Sequence, residues 1–192
     1  MVIKAIINVD RLGSPDKNTG LPCIIFGGKN MSKIGIIMGS DSDLPVVEKA
    51  INTLKEFGAE YEVHVYSAHR TPEYVKAFSE KARQNGFSVI IAAAGKAAHL
   101  AGAVAANTTL PVIGLPIKSS TLDGLDALLS TVQMPSGIPV ATVAIDGAVN
   151  AALLALQIVS VNNPEMAQKL DNARKTAAEK VIKKDKEISL KY

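Results

Sequence analysis

Short apolar runs alternate with segments of helical periodicity from residue 34 onward. The runs predict five strands at residues 34–38, 61–65, 89–93, 111–115 and 140–145. The segments between them place apolar residues three and four positions apart, which predicts helices. Because strand and helix alternate with short connections, the pattern predicts a five-stranded parallel sheet with helices on both faces.

Local signals mark several of the predicted helix ends. Gly58 follows the first periodic segment, which is a common way for a helix to end. Thr71 is a good capping residue and Pro72 suits a first helical turn, so a helix is expected to begin there. A further helix is predicted over residues 122–132, before the fifth strand.

Two helices are predicted at the C-terminal end. Residues 148–160 are apolar nearly all round, which is unusual for a helix on the surface of a monomer. The segment after Pro164 has one apolar face and one face rich in lysine. Together they predict a C-terminal helical extension that takes part in a homo-oligomer.

Residues 1–31 differ in composition from the rest of the chain. Residues 11–22 are rich in Gly, Pro, Asp and Asn, which is typical of a loop. Met31 resembles a fresh start directly before the first strand. We interpret residues 1–31 as an N-terminal extension, either a tag, a leader or an over-long start, with a short β-hairpin as the alternative. Residues 32–192 are predicted to form a single domain.

Composition narrows the class of protein. The chain has 192 residues, of which 47% are hydrophobic and 4% aromatic, so aliphatic side chains must fill the core. A net charge of +3 without a basic face interleaved with aromatic residues argues against nucleic acid as a partner. The single cysteine, Cys23, excludes an intrachain disulfide and is consistent with a cytoplasmic protein. Pro139 and Asp146 interrupt the most apolar window, so no membrane span is predicted.

Two polar loops follow predicted strands and carry candidate chemistry. After the first strand come the hydroxyls of Ser40 and Ser42 and the carboxylate of Asp43, beside the N–H groups of a helix start. Such groups suit a phosphate or the hydroxyls of a ribose. The alternative is plain helix capping by Ser42 or Asp43. After the second strand, His69 and Arg70 lie at a strand end, where open α/β sheets bind ligands.

The other histidines and the third loop leave alternatives open. His64 alternates with apolar residues and is expected on the surface or at an interface, whereas His99 opens a helix and could be packed or capping. No spacing typical of metal ligands is present. Residues 92–98 have very small side chains, which suits either close approach of a flat ligand or tight packing of a helix on the sheet.

Four motifs in this order resemble one family. They are Met38-Gly39-Ser40-x-Ser42-Asp43, Ser67-Ala68-His69-Arg70-Thr71-Pro72, Ala97-Ala98-His99-Leu100 and Gln133-Met134-Pro135-x-Gly137-Ile138-Pro139-Val140. The combination resembles the bacterial class I N5-carboxyaminoimidazole ribonucleotide mutases of de novo purine (IMP) synthesis, over about residues 34 to 180.

The resemblance implies a three-layer α/β/α flavodoxin-like fold and a cytoplasmic homo-octamer without metal or cofactor. It implies an isomerase that moves a carboxylate from the exocyclic nitrogen to C4 of an imidazole ribonucleotide. His69 matches the general acid/base, and Ser40, Asp43 and Arg70 match substrate-binding positions. The full set of predicted substrate-binding residues is Ser40, Ser42, Asp43, Ser67, Ala68, Arg70, Gly95, Lys96, His99 and Leu100.

The chain departs from the family at Lys96, where the family usually has glycine. If that position required a positive φ, a lysine there would cost about 1–2 kcal/mol. The ammonium group could instead add a cation beside a substrate carboxylate. Two other functions remain open from the residues alone: direct carboxylation of aminoimidazole ribonucleotide by CO2, and a non-catalytic flavodoxin-like module that binds a nucleotide or flavin.

Overall fold

The computed structural model describes residues 32–96, 98–120 and 122–192, so the predictions for residues 1–31 lie outside the described residues. The strands are β1 (Lys33–Met38), β2 (Tyr61–Val65), β3 (Phe87–Ala94), β4 (Val112–Pro116) and β5 (Ala141–Thr142). The helices are α1 (Leu44–Phe57), α2 (Pro72–Lys81), α3 (Leu100–Ala105), α4 (Leu125–Val132), α5 (Ala148–Ser160) and α6 (Pro164–Ser189).

The strands form one sheet in the order β2-β1-β3-β4-β5, and every pair is parallel. This is the flavodoxin-like order, in which the chain first moves outward from β1 to β2 and then crosses to β3 on the other side. The predicted fold is therefore confirmed. The reversal leaves a crevice at the carboxyl ends of β1 and β3, which is the usual ligand position in such sheets.

Each face of the sheet has its own apolar core, because β1 and β3 are buried on both sides. On one face, side chains of α1, α5 and the first turns of α6 pack against the sheet, with Leu54, Leu156 and Met166 among them. On the other face, α2 and α3 supply side chains such as Val75 and Leu100. The result is the three-layer arrangement that the alternating pattern predicts.

The helix predicted over residues 122–132 begins later than expected. Leu122, Asp123 and Gly124 have φ values of 47°, 52° and 91°, and the right-handed helix α4 starts only at Leu125. Residues in the left-handed region cannot continue into a right-handed helix, so this part of the prediction is wrong. The fifth strand is also shorter than predicted, since β5 comprises only Ala141 and Thr142.

The C-terminal helix extends beyond the rest of the domain. Met166 and Leu170 are buried against the sheet layer, whereas residues 171–192 are all exposed. On α5, Val149 is 45% exposed although the helix is otherwise largely apolar. Within the described residues, no helix has both the length and the hydropathy needed to cross a membrane.

Candidate active site

Three loops meet at the carboxyl ends of β1, β2 and β3. They enclose a cavity of about 360 Å³. The cavity is lined by Gly39, Ser40, Ser42, Asp43, Ser67, Ala68, His69, Arg70, Ala94, Gly95, Lys96, His99 and Leu100. Parallel strands place their carboxyl ends at one edge of the sheet, so residues far apart in sequence become neighbours here.

The loop after β1 is a tight turn held by its own side chains. The Ser40 hydroxyl accepts a hydrogen bond from the Ser42 N–H at 3.3 Å, and the Asp43 carboxylate accepts one from the Ser40 N–H at 3.2 Å. Asp43 is only 7% exposed. Burial raises the pKa of the Asp43 carboxyl above its ordinary value of 3.8, and the nearby Asp41 charge adds to the effect.

The loop after β2 turns through hydrogen bonds between Ser67 and Thr71. The Thr71 hydroxyl accepts from the Ser67 N–H at 2.9 Å and donates to the Ser67 carbonyl at 3.1 Å. Thr71 is the N-cap residue of α2, and the helix begins at Pro72 as predicted, but the Thr71 side chain forms no capping bond. The hydroxyl instead closes the loop that presents His69 and Arg70 to the cavity.

Two histidines from different loops meet in the cavity. Nε2 of His69 lies 3.0 Å from Nδ1 of His99, and the two rings are nearly perpendicular at 87°. His99 precedes α3 but makes no capping bond with its side chain. The structure therefore does not support a capping role for His99.

The cavity contains more fixed positive than negative charge. The Arg70 guanidinium donates to the Gly39 carbonyl at 3.4 Å, and neither Arg70 nor Lys96 forms an ion pair within the described part of the chain. Asp43 supplies the buried carboxylate. This balance suits a ligand that carries more than one negative group.

Lys96 lies in the loop without backbone strain. Among the described residues other than glycine, only Leu122, Asp123 and Asp146 have a positive φ. The expected cost of a lysine at this position therefore does not arise. An ideal Cβ added to the preceding Gly95 would lie 3.9 Å from the Ile117 carbonyl oxygen, which is an ordinary contact.

All of the predicted site residues line this one cavity. Gly39 and Ala94 also line it and were not among them. Their position at strand ends was the available signal, because neither has a side chain that could mark it as functional. His64 lies elsewhere: it pairs with Glu62 at 2.6 Å and stacks on Tyr66 with ring centroids 4.7 Å apart.

A larger depression of about 1,010 Å³ lies at the opposite, amino-terminal end of the strands. Its lining includes Arg83, Thr109 and Ile138 but no histidine. No group of three or more His, Cys, Asp or Glu side chains in the described ranges is arranged to hold a metal ion. The smaller cavity is therefore the better candidate for acid–base chemistry, because it holds both titratable rings and cations.

Comparison with known proteins shows the family of the chain. The family model described as AIR carboxylase matches residues 33–180, which is most of the chain. The chain belongs to this family. The matched range includes the three loops of the cavity.

Individual relatives extend the comparison. An N5-carboxyaminoimidazole ribonucleotide mutase from Pyrococcus horikoshii is 59% identical over 155 residues, covering 81% of this chain and 88% of the relative. A mutase of the same name from Bacillus subtilis is 50% identical over 157 residues, covering 81% and 97%. The crystal structure of Treponema denticola PurE has a TM-score of 0.75 at 34% identity, covering 81% of this chain and 97% of that chain. The resemblance seen in the four sequence motifs is thereby confirmed.

Proposed function

We propose that this chain is an N5-carboxyaminoimidazole ribonucleotide mutase of purine biosynthesis, an isomerase that produces 4-carboxy-5-aminoimidazole ribonucleotide. One observation carries the proposal: every predicted site residue lines a single cavity in a chain 59% identical to a relative of that name. The substrate is a small ribonucleotide with one phosphate and one carboxylate.

His69 is the proposed general acid and base. A carbamate loses CO2 when its nitrogen is protonated, so a protonated His69 donates to the exocyclic nitrogen and the N–CO2 bond breaks. The electron-rich C4 of the imidazole then attacks the released CO2, which forms the new C–C bond. Neutral His69 removes the C4 proton and returns to its starting state, so no net proton or cofactor is consumed.

The remaining polar groups have proposed binding roles. Arg70, with the hydroxyls of Ser42 and Ser67, holds the phosphate through charge-assisted hydrogen bonds. The carboxylate of Asp43 accepts from the ribose hydroxyls, with Ser40 beside it. Lys96 adds a second cation for the carboxylate that migrates.

The small side chains of the loop after β3 leave room for free CO2. Ala94 and Gly95 line the cavity, so the CO2 can lie close to the backbone. Excluding water limits the hydration of CO2 to bicarbonate. His69 and Arg70 are exposed in the single chain. We therefore propose that a second copy of the chain covers the site in a homo-oligomer. The resemblance to the family implies that this homo-oligomer is an octamer.

The test is an assay without ATP on the two carboxylated isomers. We expect the purified full chain to interconvert them and His69→Asn to bind either isomer while losing about 10²–10⁴-fold in turnover. His64→Asn is the matched control, because His64 lies outside the cavity and should leave turnover unchanged. Turnover that persists in His69→Asn would contradict the role of this residue.

The same assay separates the mutase from a direct carboxylase. If the rate followed dissolved CO2 and ignored the carbamate, the chain would instead carboxylate aminoimidazole ribonucleotide. Sedimentation velocity of the same preparation tests the homo-oligomer, since a monomer at assay concentration would contradict the proposed cover. A cytoplasmic location remains a prediction, which fractionation of cells expressing the native gene would check.

A further inference from the structure

The contact between His69 and His99 constrains both rings. It joins Nε2 of His69 to Nδ1 of His99 at 3.0 Å, with the ring centroids 5.2 Å apart. The backbone of His99 is held because its carbonyl accepts the Ala103 N–H at 3.0 Å. Its ring makes no capping bond, so it is available to His69.

A hydrogen bond between two neutral imidazoles couples the positions of their protons. Each neutral ring has one N–H and one bare nitrogen, and a single proton occupies the bond. If His69 donates from Nε2, its Nδ1 is bare and His99 carries its proton on Nε2. If His99 donates from Nδ1, His69 carries its proton on Nδ1 and Nε2 of His99 is bare. In either case the two outer nitrogens differ, one being a donor and the other an acceptor.

No other group in the described structure competes for this role. The His69 ring forms no further hydrogen bond within the described residues. Asp43 lines the same cavity, but its carboxylate accepts a hydrogen bond from the Ser40 N–H. Arg70 and Lys96 offer only donors and no acceptor. The orientation of the His69 ring therefore depends on His99.

We propose that His99 is a positioning residue that holds the ring of His69 in one orientation, through the hydrogen bond at Nε2, and couples the tautomer of His69 to its own. An acid–base group is effective only when its proton is on the nitrogen that faces the reacting atom. The effect on turnover rests on the proposed function, whereas the hydrogen bond at Nε2 of His69 does not.

Two substitutions at His99 separate positioning from direct contact with substrate. His99→Asn keeps an amide close to the place of Nδ1, and an amide can either donate or accept. His99→Ala removes the partner altogether. His99 is exposed, so both variants should fold. His64→Asn is again the control, because it removes a histidine that does not contact the pair.

The first measurement is nitrogen NMR of the full chain with isotope-labelled histidine and no ligand. The signals of the three histidines are assigned from His64→Asn, His69→Asn and His99→Asn, since each variant lacks the signal of the histidine that it replaces. We expect the Nε2 signal of His69 to move in His99→Ala and to stay close to its native position in His99→Asn, because an amide can restore the hydrogen bond. An unchanged His69 signal in His99→Ala would overturn the proposal.

The second measurement is steady-state kinetics on the same proteins. We expect His99→Ala to lose at least about tenfold in kcat with little change in KM, and to lose no more than the roughly 10²–10⁴-fold that acid–base catalysis contributes. His99→Asn should recover most of this loss. A large rise in KM in both variants would make His99 a substrate ligand and would overturn the positioning role. If the native chain did not turn over the isomers, the proposed function would fail, but the NMR result would still decide the hydrogen bond.

Discussion

Gly114 on β4 offers a sharp test of the packing beneath the site. An ideal Cβ added there would lie 2.3 Å from Cγ2 of Thr131 and 3.0 Å from Cγ1 of Val140. Carbon atoms in contact prefer about 3.5–4.0 Å, so Gly114→Ala forces a shift of more than about 1 Å at Thr131. Thr131 cannot easily move, because it is 2% exposed and its hydroxyl donates to the Ala127 carbonyl at 2.7 Å.

The expected cost of Gly114→Ala is that of overpacking, about 1–3 kcal/mol. In a domain of this size each 1 kcal/mol lowers Tm by about 2–4 °C, so the expected fall is about 2–12 °C. Thr131→Ser removes the clashing methyl group and keeps the hydroxyl. Alone it should cost about 1 kcal/mol for one lost buried methyl. Combined with Gly114→Ala, it should restore stability rather than reduce it further.

The assay is urea and thermal unfolding of the two single variants and the double variant, at one protein concentration. We expect a coupling energy of about 0.5–3 kcal/mol in favour of the double variant. Gly102→Ala is the matched control. Gly102 lies within α3, and a Cβ added there meets only the flexible Met134 side chain, at 3.3 Å. Because alanine has a higher helix propensity than glycine, Gly102→Ala should be neutral or should stabilise the fold by up to about 1 kcal/mol. If the costs of Gly114→Ala and Thr131→Ser simply added, the packing argument would be refuted.

Two further predictions concern charges in the cavity. Because the folded-state pKa of Asp43 is raised, the unfolded chain releases this proton at lower pH than the folded chain, and stability falls as pH rises from 3.8 through the raised value. Asp43→Asn should therefore raise Tm at pH 7 and lose this advantage below pH 3.8. Calorimetry should show about 10–150-fold weaker nucleotide binding by this variant. An unchanged Tm at pH 7 would contradict the stability argument. Lys96→Gly should weaken binding of the carboxylated isomers only about two- to fivefold, because Lys96 is exposed. The difference in affinity should shrink at high salt. A loss that does not depend on salt would contradict a purely electrostatic role of Lys96.

The periodicity of the sequence was sufficient to predict the layers of the fold, because each strand and helix buries its own apolar pattern. Local signals were reliable where a single residue determines the backbone conformation. Gly58, for example, ends α1 with a φ of 69°. They failed where a tertiary contact decides. Gly124 turns with a positive φ, and an added Cβ there would lie 3.0 Å from Ile145, which is distant in sequence. No local pattern records such neighbours.

The same distinction applies to the site. Parallel topology predicts that the loops after β1, β2 and β3 lie together, so their residues could be assigned to one cavity from the sequence. Which side chains then touch depends on the direction in which each loop presents them. The bond between His69 and His99 joins residues 30 positions apart. The Thr71 hydroxyl, expected to cap a helix, instead closes the loop that holds His69.

Asp43 shows why the site and the stability of the fold oppose each other. Its carboxylate is buried and its pKa is raised, so at neutral pH the folded chain bears the cost of a charge that water would solvate better. Capping the turn does not require that charge, because an asparagine oxygen could also accept the Ser40 N–H, although less strongly. A ribose does favour the charge, since a carboxylate accepts hydroxyl hydrogen bonds more strongly than an amide. Under the proposed function, the Asp43 carboxylate therefore serves ligand binding at the expense of stability, as is common at functional sites.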